Sequence, residues 1–430
     1  MANVVVVGMQ WGDEAKGKVV DYLAQCADYV VRYNGGNNAG HTVVIGDEVF
    51  KFHTVPVGVL NPGVTAVVTD GVVLDPQVFV GEIDQLRERG VTADRIRISG
   101  NAHVIMPWHR LLDTLEEQSK GDRKIGTTGR GIGPCYADKA SRTGIRMAEL
   151  VDPEVFRARL SECLRLKNAI IARVYCAEVL DEEAIYAEYS SYAAKIRPFV
   201  TDTATLLYEA SCEGANIVFE GAHGALLDID HGTYPFGTSS HCVGGGACVG
   251  TGIGPTMIDR VIGVAKAYQT RVGQGPMPTE LDDEIGECIR RRGNEYGTTT
   301  GRPRRCGWFD AVAARYTARV NGASCIAITL LDVLSGMDRV KICTGYCVGG
   351  RKIVDFPTDA QALERAAPMY DELPGWRDDI SGAKAFDDLP SAARGYIARI
   401  AELVECPVCM VSVGRRRDQT IVLDQEMLEM

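Results

Sequence analysis

The sequence predicts an α/β fold with a mainly parallel central sheet, flanking helices and smaller subdomains, its first βα turn built like a phosphate loop. Three observations predict it. "NVVVVG" (3–8) is a strand-length apolar run that stops at glycine. "GDEAKGKVV" (12–20) follows with the G-x-x-x-x-G-K spacing of a phosphate loop. "KGKVVDYLA" then shows helical apolar spacing, and "ADYVVRYNGG" gives a second strand closing in glycines. A strand–loop–helix–strand unit makes its strands parallel and sets a ligand at their carboxyl ends.

The remaining elements follow in order. Strands are expected at "VTAVVTDGVVL", "RIRISG", "NIVFEG", "CIAITLLDVL" and "MVSVG", and helices at 77–90, 147–174 and 181–195. No Pro/Ser linker, low-complexity tract or solenoid-period repeat divides the chain, so 1–430 reads as one α/β domain with embellishing subdomains.

Composition narrows the function classes. At 46% hydrophobic and 24% charged residues the chain has the material for a large buried core. A net charge of −11 argues against broad nucleic-acid or membrane binding, while leaving room for a local basic pocket. No apolar stretch approaches the ~20 residues that span a bilayer, and the N-terminus has no basic residue ahead of its apolar run. A cytoplasmic location is the expectation. The fourteen cysteines are scattered through predicted elements and read as reduced, mostly buried thiols. Cys406 and Cys409 form one C-x-x-C with no second pair, which makes zinc a poor reading and leaves redox as a weak one.

The first loop contains a conflict. Glycine N–H groups, a helix N-terminus and Lys18 suit phosphate, yet Asp13 and Glu14 add negative charge there, and Val19 stands where a hydroxyl would hold magnesium. Either the carboxylates cap the helix, or a divalent cation or chemistry on a second substrate reconciles them with phosphate. In the next loop, "YNGGNNAGHTVV", Asn37, Asn38 and His41 follow a strand, and an imidazole there could donate to a developing oxyanion. Further glycine clusters, "GTTGRGIGP", "EGAHGALLDIDHGTYPFGTSSH", "GQGPMPTE" and "GTTTGRPRRCGW", look like walls of the same site.

"GMQWGDEAKGKVVD", "RYNGGNNAGHTV", "IGTTGRGIGPCYADKASRTGIR", "FEGAHGALLDIDHGTYPF", "RVGQGPMPTEL" and "TTTGRPRRCGWFD" resemble, in order from about residue 3 to residue 422, the adenylosuccinate synthetase family. The resemblance implies that GTP, as co-substrate, phosphorylates the 6-oxygen of IMP and that the amino group of aspartate displaces the phosphate. It implies Asp13 as base and metal ligand, His41 as acid, and one Mg²⁺ per active site held by Asp13 and the Gly40 carbonyl. GTP would be bound by Gly12, Asp13, Glu14, Ala15, Lys16, Gly17, Lys18, Gly40, His41, Thr42, Arg304, Leu330, Leu331, Asp332, Ser412, Val413 and Gly414. IMP would meet Asp13, Lys16, Asn38, Ala39, Gly40, His41, Thr128, Arg142, His223, Thr238 and Arg302. Arg142 would reach across a homodimer to the neighbouring site. Thr298, Thr299, Thr300, Gly301, Arg302 and Arg304 would bind aspartate, for whose carboxylates a planar guanidinium is a better match than an ammonium.

Several positions depart from the family pattern. Ala15 replaces glycine, which requires a negative φ to be free of strain. Leu330 replaces the lysine of T-K-L-D, removing a cation from the guanine face. Arg415 and Arg416 enter the closing "SVGRRRD". His223 replaces glutamine in the base pocket, His241 an asparagine, Gly237 a branched residue and Met277 a phenylalanine. Two alternatives therefore accompany the implied activity: the same ligase chemistry on another 6-oxopurine-like nucleotide, and a guanine-nucleotide switch without catalysis. The aspartate-site residues speak against the switch.

Overall fold

The computed structural model describes residues 2–46, 48–297 and 301–429. Its centre is a ten-stranded sheet, in chain order β1 (Asn3–Gly8), β2 (Tyr29–Arg32), β3 (Thr65–Val68), β4 (Ile96–Ser99), β5 (Val200–Thr201), β6 (Ile217–Gly224), β7 (Arg260–Lys266), β8 (Cys325–Thr329), β9 (Val408–Ser412) and β10 (Thr420–Val422). In space the order is β10-β9-β8-β7-β1-β6-β2-β3-β4-β5. Every pairing is parallel except that of β10, which runs antiparallel on the edge.

The apolar runs become strands because both faces of the sheet are covered. In β1, Val4 and Val6 enter one core cluster while Val5 and Val7 enter another on the opposite face. The predicted strands are all present, with "VTAVVTDGVVL" broken after Val68 and "CIAITLLDVL" turning helical at Leu331. β7, beside β1, is a strand that the sequence reading left out. Its "RVIGVAK" carries the same apolar signal, interrupted by Gly263, whose Cβ position lies 2.3 Å from the Met9 sulfur.

The helix after the first loop, α1, covers Lys16–Leu23. The helix expected at 77–90 is Pro76–Glu88, and that at 181–195 is Glu182–Ile196. The one expected at 147–174 is two, Met147–Leu150 and Pro153–Val174. The break lies at Asp152-Pro153. Proline cannot sit inside a helix but starts one well, and Asp152 caps that start by accepting from the Glu154 and Val155 N–H groups. A hairpin of His41–Ile45 with Glu48–Phe52 and a mixed sheet around Arg339–Val348, antiparallel except for its pairing with Phe309–Asp310, are among the smaller attachments.

β1 lies where the chain reverses its direction across the sheet, with β6 and β2 on one side and β7 and β8 on the other. The loops leaving the carboxyl ends of β1, β2, β6, β7, β8 and β9 thus rise on one edge around the same crevice, the expected place for a ligand.

Candidate active site

The first loop resolves its own conflict by separating its two acids. Glu14 is folded under the loop, fully buried, and accepts from the Gln10 N–H (3.1 Å), the Gly12 N–H (2.8 Å) and the Lys16 ammonium (2.6 Å). Burial pushes its pKa up and the Lys16 charge and these donors pull it down further, so the carboxyl sits below its usual range. The approach is close enough to require glycine: a Cβ on Gly8 would stand 2.5 Å from a Glu14 oxygen, and one on Gly224 2.4 Å from the other. Asp13 is turned the other way and keeps 28% of its side chain exposed to the crevice. Glu14 anchors the loop, and Asp13 is left for a ligand. A partly open carboxylate is a hard oxygen donor, the type that Mg²⁺ takes.

Ala15 does not keep a negative φ. Its φ is +60°, and Asp13 is also left-handed at +61°. The bends are imposed by the loop, and the Ala15 methyl bears a strain that glycine would not.

Asp13 meets Arg304, with Nε 2.9 Å from Oδ2. On its other arm, Arg304 Nη1 donates to Glu295 at 2.7 Å. Glu295 is 1% exposed, and Lys266 Nζ donates to it from the floor at 2.8 Å. Two acids and two cations thus alternate from the crevice into the core.

His41 opens the hairpin that follows the second glycine loop and is buried against Glu220 and Arg32. Glu220 and Arg32 are register partners on β6 and β2, with the guanidinium 2.8 Å from the carboxylate, and the Val57 N–H donates to the second oxygen at 3.1 Å. Burial alone would raise the Glu220 pKa; Arg32 and His41 overcome it and hold the group at about 2. An ionised Glu220 accepts, so His41 Nδ1 donates to it, while Nε2 lies 3.3 Å from the Ala222 carbonyl oxygen. Burial, with Arg32 alongside, lowers the His41 pKa.

On the other side, Lys18 Nζ donates to Ser412 Oγ (2.6 Å) and to the carbonyls of Gly414 and Gln419 (2.8 Å each). The lysine of the first loop therefore ties that loop to the Ser412–Gly414 segment, and Val413 is fully buried behind it. Burial lowers the Lys18 pKa to about 7 against the pull of Asp332 and Asp418. Asp332 has one oxygen, Oδ1, buried without a hydrogen-bond partner among the described residues, and burial raises its pKa. Leu330 precedes it in a left-handed conformation (φ +57°), with Leu331 buried next to it.

Between these two halves, Asn38 Nδ2 lies 3.5 Å from Thr238 Oγ1, so the loops after β2 and β6 meet as expected. His223, at the end of β6, is 8% exposed, and neither ring nitrogen has a partner among the described residues. Burial and the nearby Lys16, Arg32 and His41 lower its pKa to about 3, so the ring is neutral. Ala39 is buried, Gly17 packs on His41 at 3.4 Å from its Cβ position, and Thr42 is exposed. Thr128 lies on an exposed loop, and Arg142 is exposed at a helix end with φ +63°. Gly301 and Arg302 are exposed next to Arg304; Thr298, Thr299 and Thr300 lie outside the described residues.

Of the divergent positions, Met277 packs with Trp11 in an apolar cluster. A Cβ on Gly237 would lie 2.8 Å from the Leu227 carbonyl oxygen, so a branched residue needs that backbone to retreat. His241 is about half exposed, with Nδ1 3.3 Å from Asp230, and is not a buried base contact. His241, Asp230 and Asp228 cluster as metal ligands do, but each Asp228 oxygen already accepts two backbone N–H groups. The Cys406 and Cys409 thiols are buried and face the carbonyls of Ala323 and Ile326.

Sequence reasoning missed Glu220, Arg32, Glu295 and Lys266. Two had a visible signal: a lone charge inside an apolar strand, Glu220 in "NIVFEG" and Lys266 in "VIGVAK", must find a partner when the strand is buried.

Comparison with known proteins points to one family. A family model described as adenylosuccinate synthetase matches residues 5–421. The adenylosuccinate synthetase of Heliobacterium modesticaldum is 55% identical over 425 residues, covering 99% of this chain and 100% of that protein. That of Pelotomaculum thermopropionicum is 56% identical over 422 residues, covering 98% and 99%. The structure of fully ligated adenylosuccinate synthetase from Plasmodium falciparum matches with a TM-score of 0.93 at 37% identity, over 98% of this chain and 100% of that one. A cyanophage S-2L succinoaminodeoxyadenylate synthetase shares the fold at a TM-score of 0.61 and 19% identity, covering 100% and 98%.

Proposed function

The chain belongs to the adenylosuccinate synthetase family, whose members use GTP to ligate aspartate to IMP, and from that premise we propose how its own residues carry the reaction. Asp13 removes the N1 proton of IMP, so that charge moves to the 6-oxygen, which attacks the γ-phosphoryl group of GTP and releases GDP. The amino group of aspartate then attacks C6, phosphate leaves with the C–O bond electrons, and the amine loses a proton, giving adenylosuccinate. His41 faces the transferring group and steadies its oxyanions. The observation that carries this reading is the meeting of Asp13 and Arg304 at 2.9 Å, which brings a base and a carboxylate-binding fork to one point.

Mg²⁺ would be held by Asp13 and the Gly40 carbonyl, and when bound would offset charge on the triphosphate oxygens. Lys16, with the loop N–H groups, binds phosphate, while Lys18, its three protons taken by Ser412, Gly414 and Gln419, holds the Ser412–Gly414 segment beside the loop instead of the phosphate expected from the sequence. Asp332 accepts from guanine N1 and N2, for which its buried unpartnered oxygen is support; Ser412–Gly414 closes beside that base. Asn38, Thr128 and Thr238 hold the IMP side, Arg302 and Arg304 the aspartate. Arg142, exposed at its helix end, serves the neighbouring subunit of a homodimer. A cytoplasmic location belongs to this reading. No helix among the described residues is long and apolar enough to cross a membrane.

His223 supports a second reading, in which another 6-oxopurine-like nucleotide replaces IMP. A neutral imidazole offers one donor and one acceptor on a shorter, stiffer frame than glutamine. Phosphate release by purified protein with GTP, aspartate and either IMP, GMP or dGMP tests both. Turnover with IMP is expected; release only with another nucleotide selects the second reading. Loss of turnover in Asp13→Asn with the fold intact is the matching test of the base.

A further inference from the structure

Glu295 is a buried acid that the reaction does not consume, yet it holds Arg304 twice. Its side-chain Oε2 accepts from Arg304 Nη1 at 2.7 Å, and its backbone carbonyl accepts from the Arg304 N–H at 2.9 Å. Its other oxygen is fixed from below by Lys266 Nζ (2.8 Å) and the Tyr268 hydroxyl. Those two partners are themselves fully buried, so Glu295 is pinned to the floor of the sheet and not to a mobile surface.

A guanidinium is planar, and its Nε and Nη2 share the edge that grips a carboxylate side-on, while Nη1 points to the opposite side. Glu295 occupies Nη1, which turns the Nε/Nη2 edge toward Asp13. Arg304 Nε stands 2.9 Å from Asp13 Oδ2 but makes no hydrogen bond of proper geometry with any described residue, although it is buried. The fork is thus aimed into the crevice with a donor unsatisfied, which buried donors rarely are without a ligand to meet.

We propose that Glu295 is a positioning residue that presents the Nε/Nη2 edge of Arg304 to the substrate's carboxylate. The inference rests on the reading of Arg304 as the aspartate fork. Without the acid, Nη1 is released, the guanidinium is no longer held in this orientation, and the edge is lost to the amino-acid substrate.

The test is steady-state kinetics on three variants. In Glu295→Met, which has no oxygen to accept from Nη1, the KM for aspartate is expected to rise at least about tenfold, with the KM for IMP held within about threefold. Because Glu295→Met leaves the Lys266 charge buried alone, the pair Glu295→Met/Lys266→Met removes both charges together. The pair is expected to recover stability in urea while keeping the raised aspartate KM, since Arg304 still lacks its partner. A structural role predicts the reverse, recovery of both. An aspartate KM within about twofold of the parent in either variant overturns the proposal. Arg304→Gln separates the two failures. If it raises the aspartate KM and Glu295→Met does not, only the positioning role falls; if it leaves the aspartate KM unchanged, the reading of the fork falls with it.

Discussion

His41 Nδ1 donates to Glu220 Oε1 at the carboxyl edge of the central sheet, and Arg32 Nη2 lies 2.8 Å from the same oxygen. One carboxylate therefore orients the imidazole and neutralises a guanidinium that is 1% exposed. Removing Glu220 leaves a buried cation without its partner, so Glu220→Gln is expected to destabilise the protein by about 3–5 kcal/mol in urea unfolding and to lower kcat.

The same group gives a pH dependence with a definite sign. Its folded pKa, about 2, lies below the ordinary 4.5, so its contribution is fully present above pH 4.5 and lost as the pH falls toward 2. Urea midpoints of the parent and Glu220→Gln, measured from pH 6 down, should converge through that window. A stability difference that stays constant to pH 2 would falsify the assignment.

Ala15 is held at φ +60°, where a methyl group costs about 1–2 kcal/mol relative to the right-handed region. Glycine carries no such cost but loses more freedom on folding, so Ala15→Gly should stabilise by about 1 kcal/mol net. Chemical denaturation reads the change, and a destabilised variant refutes the strain.

Asp332 keeps one buried oxygen unpartnered. If that oxygen serves guanine, Asp332→Asn should raise the KM for GTP by roughly a hundredfold and leave that for aspartate unmoved, because a site built for a specific hydrogen-bonded group penalises mismatch strongly. A companion change, Leu330→Lys, should lower the KM for GTP. Equal use of GTP and ATP by the parent enzyme contradicts the assignment of Asp332.

His223 is neutral throughout the physiological range, since burial and its cationic neighbours hold its pKa near 3. His223→Gln should therefore leave the shape of the pH–rate profile between pH 6 and 9 unchanged while altering the KM for the nucleotide. An inflection that disappears in the variant shows that the imidazole titrates in the working range.

By itself the sequence determined the α/β architecture, because apolar runs such as "NVVVVG" and the helical spacing of "KGKVVDYLA" are local signals that two-sided burial enforces. It also indicated that the loops after β1, β2 and β6 share one edge, since parallel strands deliver their carboxyl ends there. Only the tertiary structure separated Asp13 from Glu14. Both are acids in one loop, and their fates depend on Gly8 and Gly224, the second of them more than two hundred residues away, leaving room for one carboxylate under the turn. The pairing of His41 with Glu220, and of Arg304 with Glu295 and Asp13, was likewise beyond the chain's linear record. A buried charge announces that it needs a partner, but strand order and register choose which one.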